Sequence, residues 1–101
     1  MTAFNVVRFR VKPGLETEFI EAHRRGETNF AGARRFHVVK AAGNSFFVIG
    51  EWDSMEAMAA ARPMMIAVLD SFRHTLEDLG GGLGVTDPIS GTAVLEITPG
   101  H

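Results

Sequence analysis

The segment from Arg34 to Trp52 constrains the fold more than any other part of the chain. It reads RRFHVVKAAGNSFFVIGEW, in which two runs rich in aromatic and β-branched residues flank the short sequence AAGN. Apolar runs separated by a short glycine-containing turn are typical of a β-hairpin. The second run, from Ser45 to Trp52, stops immediately before residues that favour a helix start. The segments before and after this hairpin therefore decide the fold.

One strand and one helix are predicted before the hairpin. The segment from Ala3 to Val11 alternates between two faces, as a β-strand does. Pro13 then turns the chain, and a helix is expected to follow and to end between Gly26 and Asn29. The residues that recur at helical spacing on its buried face are Leu15, Phe19, Ala22 and His23.

A second helix and a last strand are predicted after the hairpin. Residues 53–56 (DSME) resemble a capping box, so a helix is expected from Met55, with Pro63 interrupting or restarting it. An apolar stripe continues this helix to a glycine cap at residues 80–82. The stripe consists of Met65, Val68, Leu69, Phe72, Leu76 and Leu79. We expect residues 83–91 to form a loop and residues 92–98 to form the last strand.

The resulting order, β-α-β-β-α-β, is the ferredoxin-like pattern of the α+β class, with one antiparallel sheet and both helices on one face. We expect a single domain over residues 1–101. The face away from the helices is also apolar in part, and its apolar members are Phe4, Val6, Val39, Phe47 and Ile49. An exposed apolar patch usually marks an interface, so the sequence predicts a homodimer packed through the sheet faces.

Composition excludes several classes of function. The net charge of −2 provides no basic field for nucleic acid. The chain has no cysteine, which excludes disulfides, thiolate metal sites and a thiol nucleophile, and its histidines show no metal-site spacing. The first residues do not resemble a signal peptide, and no apolar run approaches the roughly 20 residues of a membrane span. We therefore expect a cytoplasmic protein without metal, nucleic acid or membrane partner.

Two short pieces of sequence carry a resemblance to a known family. They are residues 11–14 (VKPG), after the first strand, and residues 51–57 (EWDSMEA), where the hairpin runs into a helix rich in methionine and alanine. With them, nearly the whole chain resembles the antibiotic biosynthesis monooxygenase (ABM) family of dimeric α+β barrel proteins. That family includes cofactor-free quinone-forming monooxygenases, haem-degrading enzymes and proteins of unknown role. The resemblance implies a pocket between the sheet and the helices of each subunit.

The chain departs from the haem-degrading members at two positions. Those proteins carry an asparagine on the first strand where this chain has Val7, whereas Asn5 lies on the same face one pleat earlier. They carry a histidine after the tryptophan where this chain has Arg62. We therefore expect no haem and no other cofactor.

Five side chains are candidates for a site. By the resemblance, Trp52 is a pocket wall that stacks on a flat aromatic substrate, although a tryptophan at a strand end also suits core packing. Asn5 offers a donor to a substrate carbonyl or enolate, or else bonds to backbone. Arg62 can bind an anionic group or remain solvated. His23 and His74 are candidate general bases, and His74 is expected to face solvent.

Three functions remain open from the sequence. The first is a cofactor-independent monooxygenase that deprotonates a small aromatic or quinol-type substrate, which then reacts directly with dioxygen. The second is a barrel that binds a small hydrophobic or aromatic molecule without turnover. The third is a dimeric accessory protein with a filled core. No strong base is evident on the pocket side, which favours the second and third.

Overall fold

The computed structural model describes residues 1–26 and 28–100 and shows one antiparallel sheet covered on one face by two helices. The elements in chain order are β1 (Ala3–Arg10), α1 (Glu16–Arg25), β2 (Ala33–Lys40), β3 (Ser45–Trp52), α2 (Met55–Phe72) and β4 (Asp87–Thr92). The four strands lie in the order β2-β3-β1-β4. This is the predicted ferredoxin-like arrangement of the α+β class.

The predicted hairpin is confirmed as β2 and β3. Its connecting residues are 41–44, where Gly43 has a φ of 63° and the Ala41 N–H donates to the Ser45 carbonyl at 2.8 Å. On its other side β3 pairs with β1 over eight residues, from Ala3 opposite Trp52 to Arg10 opposite Ser45. The hairpin thus places β3 inside the sheet, with a neighbour on each side.

Helix α2 is continuous, so the expected break at Pro63 is wrong. The helix begins as predicted after Ser54, whose Oγ accepts a hydrogen bond from the Ala57 N–H at 3.1 Å. Proline deprives the carbonyl four residues earlier of its helical donor, here that of Ala59. Ala59 and Pro63 both belong to the exposed side of the helix. Water can therefore satisfy that carbonyl, and the helix continues past the proline.

Helix α2 ends at Phe72, earlier than the predicted glycine cap at residues 80–82. A short 3-10 helix follows at Arg73–Thr75, and the buried Thr75 hydroxyl donates to the Phe72 carbonyl at 2.6 Å. Leu76 then forms a β-bridge with Val11. The leucine is buried, but from an extended segment beside β1, and its helical spacing from Phe72 was misleading.

The last strand lies earlier than predicted, within the segment expected to be a loop. β4 spans Asp87–Thr92, and residues 93–100 contain no strand. β4 pairs only with β1 and is an edge strand, where proline and glycine are tolerated. Pro88 and Gly91 therefore concealed a strand. The segment predicted as a strand instead leaves Val94, Leu95 and Ile97 exposed.

The helix-covered face carries two apolar clusters. The aromatic cluster consists of Phe9, Val11, Phe19, Ala22, Phe46, Phe72 and Leu76. The tryptophan cluster consists of Ala3, Phe30, Trp52, Met58 and Ala61. Each cluster joins the sheet to a helix, the first mainly to α1 and the second to α2.

The opposite face of the sheet is apolar in part, as predicted. The strand registers place His37, Ile49, Val6 and Ile89 side by side across the four strands. Ile89 is 70% exposed, and the other two apolar members of this row are half-buried. Arg8 and Asp87 lie next to this row and form an ion pair at 3.0 Å. No described helix packs over this outer face.

Neither helix among the described residues is long and apolar enough to cross a lipid bilayer.

Candidate functional site

A cavity of about 650 Å³ opens between the sheet and the two helices. Its floor is the inner face of the sheet, and its walls are α1 and α2. Most of its lining is apolar, with contributions from Val7, Phe9, Val48, Met65, Leu69 and Phe72. A volume and lining of this kind are typical of sites for small, largely apolar molecules. The polar side chains at its surface therefore decide what chemistry it supports.

His23 reaches the cavity from α1 and packs within the aromatic cluster. Its ring centroid lies 4.4 Å from that of Phe72 and 4.6 Å from that of Phe19. His23 Nδ1 is 2.9 Å from the Phe19 carbonyl oxygen. Because a carbonyl can only accept a hydrogen bond, Nδ1 carries the proton and donates it.

Burial also sets the charge of His23. The apolar surroundings lower the pKa of the imidazole below its usual 6.5, and the hydrogen bond to Phe19 offsets only part of this. A neutral ring protonated at Nδ1 leaves an unprotonated Nε2, and no described residue bonds to it. His23 is therefore equipped to take a proton from a ligand hydroxyl.

Asn5 lies on the floor of the cavity, at the end next to the tryptophan cluster. Its Oδ1 accepts a hydrogen bond from Trp52 Nε1 at 2.9 Å. Asn5 lies opposite Gly50 on β3 and opposite Ser90 on β4. The sheet register therefore joins two residues that are 47 positions apart in sequence.

Trp52 does not line the cavity. Its side chain is fully buried, and it packs against Phe30, with ring centroids 6.0 Å apart, and against Phe36 at 5.7 Å. The structure thus places the tryptophan one layer behind the cavity surface. It reaches the cavity lining only through its hydrogen bond to Asn5 and does not present a face on which a ligand can stack.

Arg62 projects from α2 at the rim of the cavity. It is exposed and, within residues 1–26 and 28–100, forms no ion pair or side-chain hydrogen bond. An unpaired guanidinium at the mouth of an apolar cavity is suited to an anionic or phenolate group.

His74 lies away from the cavity. It belongs to the 3-10 helix after α2, is largely exposed, and its Nε2 is hydrogen-bonded to a carboxylate oxygen of Glu18 on α1. The structure therefore brings Asn5, His23 and Arg62 to one cavity and leaves His74 on the surface.

Ser90 and Thr86 also line the cavity but were absent from the sequence-based candidates. Both lie in the segment predicted as a loop, and a predicted loop gives no basis for deciding which way a side chain points. The signal that could have found Ser90 is the alternation of residues 87–92, which the glycine and proline content obscured.

No metal site accompanies these groups. In the part of the chain that the structure describes, no three histidine, aspartate or glutamate side chains come together in a way that could hold a metal ion.

Solved structures show which proteins share this architecture. A variant of SnoaB, a cofactor-independent oxygenase from Streptomyces nogalater, has a TM-score of 0.74 at 20% identity, covering 97% of this chain and 98% of that one. A variant of MhuD with two manganese protoporphyrin IX molecules per active site has a TM-score of 0.66 at 18% identity, covering 96% and 99%. A dimeric ferredoxin-like protein from an uncultured marine organism has a TM-score of 0.72 at 14% identity, covering 98% and 93%. At these identities the likeness shows the fold alone.

Sequence comparison adds the family. No curated protein matches the chain. The family model described as antibiotic biosynthesis monooxygenase matches residues 2–63. This range holds β1, α1, the hairpin and the first half of α2, and with them Asn5, His23, Trp52 and Arg62. The match covers more than half of the sequence, and the chain therefore belongs to the antibiotic biosynthesis monooxygenase family.

Proposed function

We propose that the chain is a cofactor-independent monooxygenase for a small, flat, aromatic substrate with an ionisable hydroxyl or enol group. The observation that carries this proposal is His23, which lines the apolar cavity and whose neutral ring has an Nε2 that no described residue bonds to. The sequence alone offered no strong base on the pocket side, and the non-catalytic functions were favoured for that reason. A base inside the cavity favours the enzyme instead. A cavity of about 650 Å³ also argues against a filled core.

The proposed reaction starts with transfer of the substrate hydroxyl or enol proton to His23 Nε2. The resulting anion is rich in electrons and transfers one of them to dioxygen, and the radical pair then combines to form a carbon–oxygen bond. The peroxide anion formed in this way takes the proton back from His23, and the resulting hydroperoxide loses water and leaves a carbonyl group. One substrate C–H carbon becomes C=O, one dioxygen is consumed and one water is released.

The other polar groups at the cavity are suited to the charge that develops. The Asn5 amide, at the end of the floor away from His23, can donate to a carbonyl oxygen of the substrate that shares the negative charge of the anion, and a donor placed in advance stabilises such an anion. Arg62 at the rim adds a positive charge at the open side of the cavity. The apolar lining keeps water away from these contacts and strengthens them.

An oxygen electrode with anthrone as substrate tests this proposal. We expect the protein to accelerate oxygen consumption, with one dioxygen used per anthraquinone formed, and His23→Phe to lower the rate by roughly 100-fold or more. His74→Phe is the matched control and should retain the full rate, because His74 lies outside the cavity. Tight binding of anthrone without oxygen uptake would favour the non-catalytic barrel, and absence of both binding and uptake would contradict the two functions together.

We also propose that two chains form a homodimer through their outer sheet faces. The support is the row of Val6, Ile49 and Ile89, which no described helix covers. Ile89→Lys places a charge in this row and should shift the chain to monomer in sedimentation velocity. Leu83→Lys, at an exposed position in a loop, is the control and should leave the dimer intact. A wild-type monomer at micromolar concentration would contradict the proposal.

A further inference from the structure

We propose that Trp52 is a positioning residue, which fixes the Asn5 amide so that its NH₂ group faces the cavity and selects ligands with a hydrogen-bond acceptor at that point. The inference rests on the proposed function only in requiring that a ligand enters the cavity. It assigns a role to a side chain that contacts no ligand itself.

Trp52 distinguishes the oxygen and the NH₂ group of the Asn5 amide. An indole N–H can only donate, so the atom of Asn5 at 2.9 Å from Trp52 Nε1 must be the oxygen. The NH₂ group is then turned away from Trp52. Trp52 is fully buried, and losing its only acceptor would leave a buried donor unsatisfied. A rotation of the amide that exchanges its oxygen and its NH₂ group is therefore strongly disfavoured.

The NH₂ group of Asn5 is accessible from the cavity. Asn5 lines the cavity, and Nδ2 makes no hydrogen bond to any residue that the structure describes. No side-chain nitrogen or oxygen in the described chain is both buried and without a partner. Nδ2 is therefore accessible, and the accessible space beside Asn5 is the cavity. The floor presents a donor there, next to the Ser90 hydroxyl on the neighbouring strand.

Gly50 leaves room for the hydrogen bond between Asn5 and Trp52. Gly50 lies between Asn5 and Phe36 in the sheet register. A Cβ atom at this position would clash with Asn5 Oδ1. It would also lie 2.9 Å from Trp52 Nε1 and 3.0 Å from Phe36 Cε1. Contacts as short as these force the neighbouring side chains to move. The hydrogen bond between Trp52 and Asn5 thus requires glycine at this point of β3.

The consequence is a difference in ligand preference between the two ends of the cavity. The Asn5 end donates and selects a carbonyl or an oxyanion. The His23 end accepts and selects a hydroxyl. Three flat tricyclic probes of similar size report on the Asn5 end: fluorenone carries an acceptor, carbazole carries a donor, and fluorene carries neither.

Isothermal titration calorimetry with these probes tests the inference. We expect wild-type protein to bind fluorenone roughly three- to tenfold more tightly than fluorene, and His23→Phe, which lacks the acceptor at the other end of the cavity, to bind carbazole no more tightly than fluorene. Trp52→Phe keeps a buried ring but removes the N–H, so that the amide can turn. We expect this variant to lose most of the preference for fluorenone over carbazole while its affinity for fluorene changes less than twofold.

Ala61→Gly is the matched control, because it loosens the tryptophan cluster without altering the hydrogen bond. It should keep the wild-type preference. A purely structural role of Trp52 would weaken all three probes equally and leave their ratios unchanged, which would overturn the inference. If wild-type protein binds none of the probes, the proposed ligand site itself fails, and that result is distinct from an unchanged ratio.

A measurement on the wild-type protein covers the case in which Trp52→Phe does not fold. In a ¹⁵N-labelled sample, the side-chain NH₂ signals of Asn5 should shift on addition of fluorenone and much less on addition of fluorene. The indole N–H of Trp52 should exchange slowly with water throughout. Equal shifts with both probes, or rapid exchange of the indole proton, would overturn the inference.

Discussion

The two apolar clusters on either side of the cavity each hold one polar side chain, and they hold it in opposite hydrogen-bonding states. Beside the aromatic cluster, His23 donates from Nδ1 to a backbone carbonyl of its own helix and keeps Nε2 as an acceptor. Beside the tryptophan cluster, Asn5 accepts inward from an indole and turns a donor outward. The inner partner thus decides what the cavity presents. The difference lies in the kind of partner, because the carbonyl belongs to the same helix whereas the indole comes from another strand.

The largest expected effect is a loss of stability when a ring is removed from the aromatic cluster. Its size relative to the same change in the tryptophan cluster compares the packing of the two. Phe19 is fully buried and packs against Phe9, Phe46 and Phe72, with ring centroids 5.0 to 5.7 Å apart within this group. We expect Phe19→Ala to lower the free energy of unfolding by about 3–5 kcal/mol, since it removes a ring from the centre of a close-packed group. Urea unfolding followed by circular dichroism measures this change.

Phe30→Ala is the matched substitution in the tryptophan cluster. Phe30 packs against Trp52 and Phe36 and comes from a loop, which can move to fill part of the space. We therefore expect a smaller loss than for Phe19→Ala. An equal or larger loss would show that the tryptophan cluster, not the aromatic one, is the main source of stability.

The next effect tests the close fit behind Asn5. Gly50→Ala forces a methyl group against the Asn5–Trp52 hydrogen bond, and we expect it to lower the free energy of unfolding by about 1–3 kcal/mol. Gly91→Ala is the control, because a Cβ there meets no atom within 4 Å, and it should change stability by less than about 0.5 kcal/mol. Trp52 is the only tryptophan, so its fluorescence reports on the same site. An unchanged emission spectrum in Gly50→Ala would contradict the described fit.

Local patterns in the sequence predicted the aromatic cluster better than the tryptophan cluster. The helical spacing of Phe19, Ala22 and His23 places all three on one face, and the structure confirms that this face packs on the sheet. The position of Trp52 behind Asn5 depends on the register between β1 and β3, which no local pattern specifies. The interpretation of Trp52 as a wall therefore had no support beyond the family resemblance.

The position of the edge strand β4 also depends on pairing with a distant strand, which no local pattern specifies. Proline and glycine weaken the strand pattern of residues 87–92, whereas residues 92–98 have the stronger alternation. Pairing with β1 selects the first segment, since the chain between α2 and β4 also runs beside the end of β1. Ser90 enters the cavity only as a result of that pairing. Candidates on edge strands are thus the ones that local reasoning misses.

The smallest expected effect concerns pH and separates His23 from His74. Burial lowers the pKa of His23 in the folded protein, so the unfolded chain binds a proton more readily between that pKa and about 6.5. Where the unfolded state binds more protons, stability rises with pH, and the folded protein should therefore lose stability as the pH falls through this window. His23→Gln should remove this component of the dependence, measured by urea unfolding at a series of pH values. His74→Gln should retain it, because His74 lies on the surface outside both clusters. A profile that changes in the His74 variant and not in the His23 variant would contradict the burial of His23 in its neutral form.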